Sequence, residues 1–555
     1  MKNGGYMKKF VHIMMIFLII SSCLFLDTNT ALSVELPQKI RVGLYFKGSA
    51  LSSFPVSAAM GLQFGFVSNY GFAAMYEESA GNEAFVSKDA FFTDSTRTAE
   101  FDPSAAVTLS GTEIGPFHLQ IGTSYTDLAA VKNEVQALRE KGICAYPVFA
   151  ESWQVWTGFY LNEAAAAADI PNIAAKLGDT ACNVVIPASN RIVVTNSSGE
   201  AVALFGSDVF TFKVCPKNEN NPYAFKIKGK AYRGELEVIR MTGSDMTAIN
   251  VLPLEEYLYG VVPSEIESYS HIDAQKAQAI IARTYAINNI KNSRFKAWKF
   301  DVDNTTVTQV YKGMDVETIN SNRAVDETKG LVVTYNGSPA QVFYFASSGG
   351  RTEDVRNVWE SSGIPYLVSV EDKYESGKSY NYNWETSFTP EKLKERMQSR
   401  GYDLGDILSV DVTKRSEAGR AIELCIKGTK GERLGKLERG CRVELGLSSQ
   451  LYSIVTSNDT YVQGSNGAVK TQLSGRKVIT ASGIISLPIN LDSVTVMGAD
   501  NQKKTLSTGS ASYRFVGKGW GHAVGLSQEG AKGMAQAGFT FEQILLHYFQ
   551  GTKIE

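Results

Sequence analysis

The sequence predicts an α+β, multidomain protein: a β-rich main domain with packed helices, preceded by a small ferredoxin-like β-α-β-β-α domain. Three observations predict it. The chain has 555 residues, more than one hydrophobic core accommodates, so about two to four domains are expected. Its 49 glycines and 25 tyrosines stand against 15 prolines, the composition of folded, strand-rich text and not of a disordered chain. Between residues 115 and 178, strand patterns and glycine-terminated helical patterns follow one another in a weak internal repeat. The formal net charge is −2, so there is no basic excess and no nucleic-acid partner is expected.

Residues 1–33 read as an export signal. Lys8 and Lys9 precede an apolar run from Phe10 to Leu26, and Ala31-Leu32-Ser33 offers the small residues a signal peptidase selects. The run is ~17 residues, near the lower limit of a membrane span, so an uncleaved anchor is the second reading. Lipidation at Cys23, after Ile20-Ser21-Ser22, is the third. Each places the rest of the chain outside the cytoplasm, with the membrane touched only through this segment.

Residues 34–112 form a β-rich N-terminal module that opens on the strand pattern Ile40 to Tyr45. Residues 113–188 carry the β-α-β-β-α pattern. Phe117 to Gly122 alternates as a strand, and Tyr125 to Gly142 is an amphipathic helix closed by glycine. Ala145 to Phe149 and Trp153 to Phe159 are strands, and Asn162 to Leu177 is an alanine-rich helix closed by Gly178. Tyr125, Trp153 and Trp156 suit either stacking on sugar rings or a place in the core. Beyond Cys23, the cysteines 144, 182, 215, 425 and 441 contain no CxxC pair, which argues against a zinc cluster and for buried free thiols.

Residues 189–555 hold the chemistry. Tyr232 to Ile239 and Thr247 to Val251 read as strands. In Leu252 to Tyr285, Glu265 sits in an apolar frame of Val261, Val262, Pro263 and Ile266. A carboxyl in such surroundings holds its proton near neutrality, as a general acid must. The competing reading is a cap on the helix that follows. That helix, Ile272 to Ile290, carries a core stripe, with Ser270 and Asp273 as a capping box and Arg283 in a buried salt bridge. Glu267 reads as solvated. Ser347, Ser348, Gly349, Gly350 and Arg351 form either a cleft wall, with glycines admitting a ligand and a forked donor binding it, or a tight turn. Gly519 to Gln528 is a second candidate wall, with Trp520 for stacking and His522 for hydrogen bonding or for structure. Gln528 opens a helix to Gln536, and Ile544 to Phe549 forms another. Tyr311 and Tyr344 line the cleft or lie in the core.

Several ordered blocks from about 225 onward resemble the stage II sporulation protein D / amidase-enhancer family (SpoIID/LytB type). They are YRGELEV at 232–238, LPLEEYLYGVVPSEI at 252–266, KAQAIIARTYAI at 276–287, TQVYKG at 308–313, AVDETKGLVVTYNGSPAQVFYFASSGGRTED at 324–354, PYLVSV at 365–370 and GKGWGHAVGLSQEGAKGMAQAGFTFEQILLHYFQGT at 517–552. The repeat at 113–188 resembles the SPOR domain, which binds peptidoglycan glycan strands stripped of stem peptides; a generic ferredoxin-like module is the alternative. The resemblance implies a catalytic domain over 189–555 and a lytic transglycosylase that cuts such strands with Glu265 as its catalytic acid/base. It implies Tyr311, Tyr344, Ser347, Ser348, Gly349, Gly350, Arg351, Trp520, His522 and Gln528 around the substrate. Other family members enhance cell-wall amidases, so an amidase is an expected partner of a non-catalytic variant. Neither a metal nor a cofactor is implied. Ala346 and Ala523 depart from the family's usual serine or threonine and glycine.

Overall fold

Period-two burial along Lys39–Tyr45 (β1) turns Ile40, Val42 and Leu44 inward. The same logic builds β2 (Ser53–Ser57), β3 (Leu62–Ser68), β4 (Gly71–Glu78) and β5 (Glu83–Lys88). The computed structural model describes residues 36–555 apart from 96, 106–112, 179–180, 218–221, 242, 381 and short stretches between 457 and 511. The expected export signal and Cys23 lie outside the described residues. Among those residues, no helix is long and apolar enough to cross a membrane.

The next segment runs β6 (Phe117–Tyr125), α1 (Leu128–Glu140), β7 (Ala145–Phe149), β8 (Trp153–Tyr160), α2 (Glu163–Leu177) and β9 (Cys182–Val185). Asp127 and Asn162 cap the helices by accepting from the Ala130 and Ala165 N–H groups. The final strand, β9, was not expected; it is four residues long, too short for a strand alternation to stand out. It pairs with β6, giving the order β7-β8-β6-β9. Trp156 is buried and stacks on His118 at 5.2 Å, while Tyr125 and Trp153 are half-buried against the core.

Seven further strands follow: β10 (Ile192–Thr195), β11 (Ala201–Phe205), β12 (Phe212–Pro216), β13 (Ala224–Ile227), β14 (Lys230–Arg233), β15 (Glu235–Arg240) and β16 (Met246–Pro253). The single strand expected over 232–239 is broken at Gly234, whose φ is +83°. A Cβ there would meet the Val251 carbonyl oxygen at 2.3 Å, so only glycine lets the chain step from one sheet to the other at this point.

Two sheets result. One has the order β17-β1-β16-β15-β12-β3-β4, where β17 is Val302–Asp303. The other is ten strands wide, β14-β13-β2-β5-β10-β11-β7-β8-β6-β9. Strands from before residue 90 pair with strands from after residue 190 in both sheets. The segment 113–188 is therefore built into a sandwich that begins before it and resumes after it. Its β7 continues the wide sheet by pairing in parallel with β11. Phe66 of β3 joins the sheets, 4.2 Å from Phe149 and 5.4 Å from Phe205. Asp89 and His118, both fully buried, bond across the junction at 3.0 Å.

The sandwich core continues into α3 (Leu254–Glu265), α4 (Ile272–Lys291) and α5 (Ile319–Asp326). At the start of α4, His271 accepts from the Asp273 N–H, so the cap lies one residue later than the expected Ser270 box. Arg283 is fully buried and grips Glu255 bidentately, at 2.9 and 2.6 Å, as the sequence implied. A separate core surrounds α6 (Pro390–Gln398), with Trp384, Leu424, Tyr452 and Phe515 in it. The chain then returns to the first core through α7 (Gln528–Gln536) and α8 (Phe541–Tyr548). Cys215, Cys425 and Cys441 are buried free thiols, Cys182 is half-buried, and Cys144 is exposed.

Candidate active site

Helix α3 follows Pro253 and carries Glu255 and Glu256 in its first turn, where carboxylates suit the helix dipole. Its inner face buries Leu254, Tyr257, Leu258, Val261 and Val262. Its last residue is Glu265, after which Ile266 turns extended. Glu265 does not cap the following helix; that task falls to His271.

The Glu265 carboxyl instead faces a cleft of about 710 Å³. Its Oε1 accepts from the Val310 N–H at 2.8 Å, and the Tyr344 hydroxyl and the Gln528 side chain also hydrogen-bond to it. Burial raises its pKa above the ordinary carboxyl value, against these three bonds and the more distant Lys312 charge. The carbonyls that end α3 act in the same direction as burial. Tyr344 is itself held protonated by burial and by the neighbouring carboxyl, so its hydroxyl remains a donor.

A short relay fixes this donor. The Tyr257 hydroxyl donates to Gln309 Oε1 at 3.2 Å, and Gln309 Nε2 donates to the Tyr344 hydroxyl at 3.3 Å. Gln309 is fully buried and was missed in the sequence, although it lies in the same block as Tyr311. Tyr311 is not in the cleft. It is 2 % exposed, its ring lies 5.1 Å from Tyr257, and its hydroxyl donates to Asn250. A Cβ on Gly260 would meet this ring at 2.6 Å, so the glycine admits the tyrosine to the core. Tyr311 thereby anchors the segment whose Val310 N–H reaches Glu265.

The walls of the cleft are aromatic. Tyr285, Phe343, Phe345 and Trp359 line it, together with Arg294 and Glu360, both exposed. Tyr285, Phe343 and Phe345 fall in family-like blocks without being singled out for the cleft, whereas Arg294, Trp359 and Glu360 lie in loops and carried no sequence signal. His522 lines the cleft as well. Burial lowers its pKa to about 4, so the ring is neutral. Its Nδ1 accepts from the Val524 N–H at 3.1 Å, which leaves the proton on Nε2, and the ring hydrogen-bonds the Tyr344 backbone. His522 thus steadies the residue that touches Glu265.

The segment 347–351 does other work. Ser347 and Ser348 are buried, and their hydroxyls donate to Glu375, as does the Gly349 N–H. Burial raises the pKa of that carboxyl too. Of the paired glycines, Gly349 serves a close approach, but to the chain itself: a Cβ there would meet Lys518 at 2.9 Å. Gly350 donates to Glu375's neighbour Ser348, and the exposed Arg351 bonds Ser369 at 2.9 Å. None of the five lines the cleft. Trp520 does not line it either; it is 45 % exposed and its backbone bridges Ser347. Glu267, expected to be solvated, is half-buried and pairs with Lys532 at 2.9 Å. Ala523, where glycine was anticipated, has φ +66°, a left-handed backbone that strains alanine by roughly 1–2 kcal/mol.

The structure therefore gathers Glu265, Tyr344, His522 and Gln528 and sets the other predicted residues elsewhere. Among the described residues, no group of three or more His, Cys, Asp or Glu side chains is arranged to hold a metal ion.

Comparison with known proteins gives a consistent family. Residues 242–335 match the family described as Stage II sporulation protein. The chain is 29 % identical to the amidase enhancer of Bacillus subtilis over 372 residues, 64 % of this chain and 48 % of that protein. It is 29 % identical to stage II sporulation protein D of Bacillus subtilis over 323 residues, 55 % of this chain and 76 % of that protein. The stage II sporulation protein D of Bacillus amyloliquefaciens matches at 29 % over 321 residues, 55 % of this chain and 75 % of that protein. The match thus spans about half the length of the amidase enhancer and about three quarters of the two sporulation proteins.

Proposed function

The chain belongs to the family of stage II sporulation protein D and the amidase enhancer, and from that premise we propose that it is an exported lytic transglycosylase acting on peptidoglycan glycan strands. The observation that supports this reading is the Glu265 carboxyl, raised in pKa by burial and facing an aromatic cleft. Protonated Glu265 gives its proton to the glycosidic oxygen as the bond to the anomeric carbon breaks. The 6-hydroxyl of the same sugar then bonds to that carbon and returns its proton to the Glu265 carboxylate, closing a 1,6-anhydro ring. One carboxyl suffices, unlike the paired acids of most glycoside hydrolases. Aromatic walls suit sugar faces. Residues 113–188, read as a SPOR-like module, would hold the same kind of strand.

Mass spectrometry of products from purified peptidoglycan tests the reaction: anhydro ends support it, and reducing ends would make the protein a hydrolase. The second reading is a wall-bound, non-catalytic enhancer of an amidase, which draws on the name of one relative. It predicts that amidase stimulation persists without any anhydro product.

The active form of Glu265 is the protonated one, so the rate is expected to fall as pH rises through its raised pKa. The Tyr344 hydroxyl donates to the carboxylate and lowers that pKa. Tyr344→Phe is therefore expected to move the alkaline limb of the kcat/KM profile to higher pH. An unmoved limb, or one shifted to lower pH, would detach Tyr344 from the acid.

A further inference from the structure

The cleft over Glu265 presents a single cation. Among the described residues that line it, Arg294 alone is charged positive, since His522 is neutral. Arg294 lies just beyond the end of α4, is exposed, and has neither an ion pair nor a hydrogen-bond partner among the described residues. Arg283, Arg233 and Arg442, by contrast, are each engaged by a carboxylate. Glu360 shares the cleft with Arg294 but forms no ion pair with it. A free guanidinium beside an aromatic cleft is a ready fork for a ligand carboxylate.

A second recess, of about 390 Å³, adjoins the first and shares Tyr285, Gln341 and Phe343 with it. Its remaining lining includes Asn288, Asn289 and Asn292 and no charged side chain. Asn288 and Asn289 each donate to a backbone carbonyl, at 2.7 and 2.9 Å. The side chains of Asn292 and Gln341 have no such partner among the described residues. Free amides offer donors and acceptors together, which suits sugar hydroxyl and acetamido groups and not a charge.

One recess therefore favours a carboxylate and its neighbour favours a neutral polar ring. A peptidoglycan strand alternates in the same way. We propose that Arg294 binds the free lactyl carboxylate of the muramic sugar lying over Glu265, while the amide-lined recess takes the adjoining N-acetylglucosamine. Charge then sets the register, and with it which of the two alternating glycosidic bonds reaches the acid. The inference rests on the glycan-strand reading above. It also supplies a cause for discrimination. On an intact strand the lactyl carboxyl is an amide joined to the stem peptide, without charge, and Arg294 loses its partner.

The test is binding by the full exported chain carrying Glu265→Gln, which prevents turnover. Three probes are used: stripped strands with free lactyl carboxylates, the same strands with stem peptides, and chitohexaose, which keeps the backbone without any lactyl group. The stripped strand is expected to bind tightest. Adding Arg294→Met is expected to weaken it about tenfold, to the level of the other two, and to leave chitohexaose within about twofold. Arg294→Lys is expected to recover part of the loss. Unchanged stripped-strand affinity in Arg294→Met, or equal weakening of chitohexaose, overturns the role of Arg294 alone. Binding of none of the three probes by the Glu265→Gln protein overturns the glycan-strand reading and this inference together.

Discussion

Glu265→Gln is expected to lower the release of anhydro-muropeptides from stripped peptidoglycan by about 10²–10⁴-fold, the usual contribution of a positioned acid/base. The fold should be untouched. The amide retains an oxygen for the Val310 N–H, and the site lies at the end of α3 with one side open to the cleft. What the amide cannot do is give a proton to the leaving oxygen and take one from the 6-hydroxyl. Product mass spectrometry alongside a thermal melt checks both halves of this expectation. Undiminished release with an unchanged melt would place the acid elsewhere, with Glu360 the first residue to examine. Lost release with retained stimulation of an added amidase would separate the Glu265 chemistry from an amidase-enhancing role, the role one relative is named for.

Arg283→Met is expected to destabilise the protein by about 3–5 kcal/mol, the range for removing one partner of a buried ion pair. Arg283 has no exposed surface and donates to both oxygens of Glu255 and to the carbonyls of Leu331 and Val325. Its loss takes the cation from the Glu255 carboxylate, which keeps the Gly330 N–H, and a donor from each of two carbonyls, in the layer that carries Glu265. Adding Glu255→Leu should recover part of the loss, because the stranded charge goes with it. Urea unfolding of the two single variants and the double variant measures this. A double variant as unstable as the sum of the singles would mean that the pair does not act as a unit.

The sequence was legible where the signal was local. The helices Ile272–Lys291 and Gln528–Gln536 showed their periodicity, although the first is capped by His271 and not by Ser270. Glu265 was legible because an acid in apolar text is chemically out of place. Other features turned on distant parts of the chain. Gly349 and Gly350 were read either as admitting a ligand or as a tight turn, and no local pattern says that it is Lys518 that closes on Gly349. In the block from 308 to 313, the sequence pointed to Tyr311 and passed over Gln309. The choice was made by Gly260, some fifty residues earlier, which opens room for the tyrosine. Arg294 and Trp359 sit outside the periodic segments and announced nothing. The joining of β7 to β11 is a long-range pairing, invisible to a reading that proceeds element by element.

That pairing has a mechanical consequence. Two modules joined by a flexible linker explore each other's surroundings as tethered particles, and their span varies with every fluctuation. Here the backbone hydrogen bonds of one sheet run from β2 through β11 into β7 and β9, and Asp89 and His118 clasp beneath it. Displacing the segment 113–188 would require breaking strand pairs and exposing the Phe66–Phe149 contact. The two parts form a caliper with fused jaws: a ligand held by one would be measured off at a fixed distance and angle from the other.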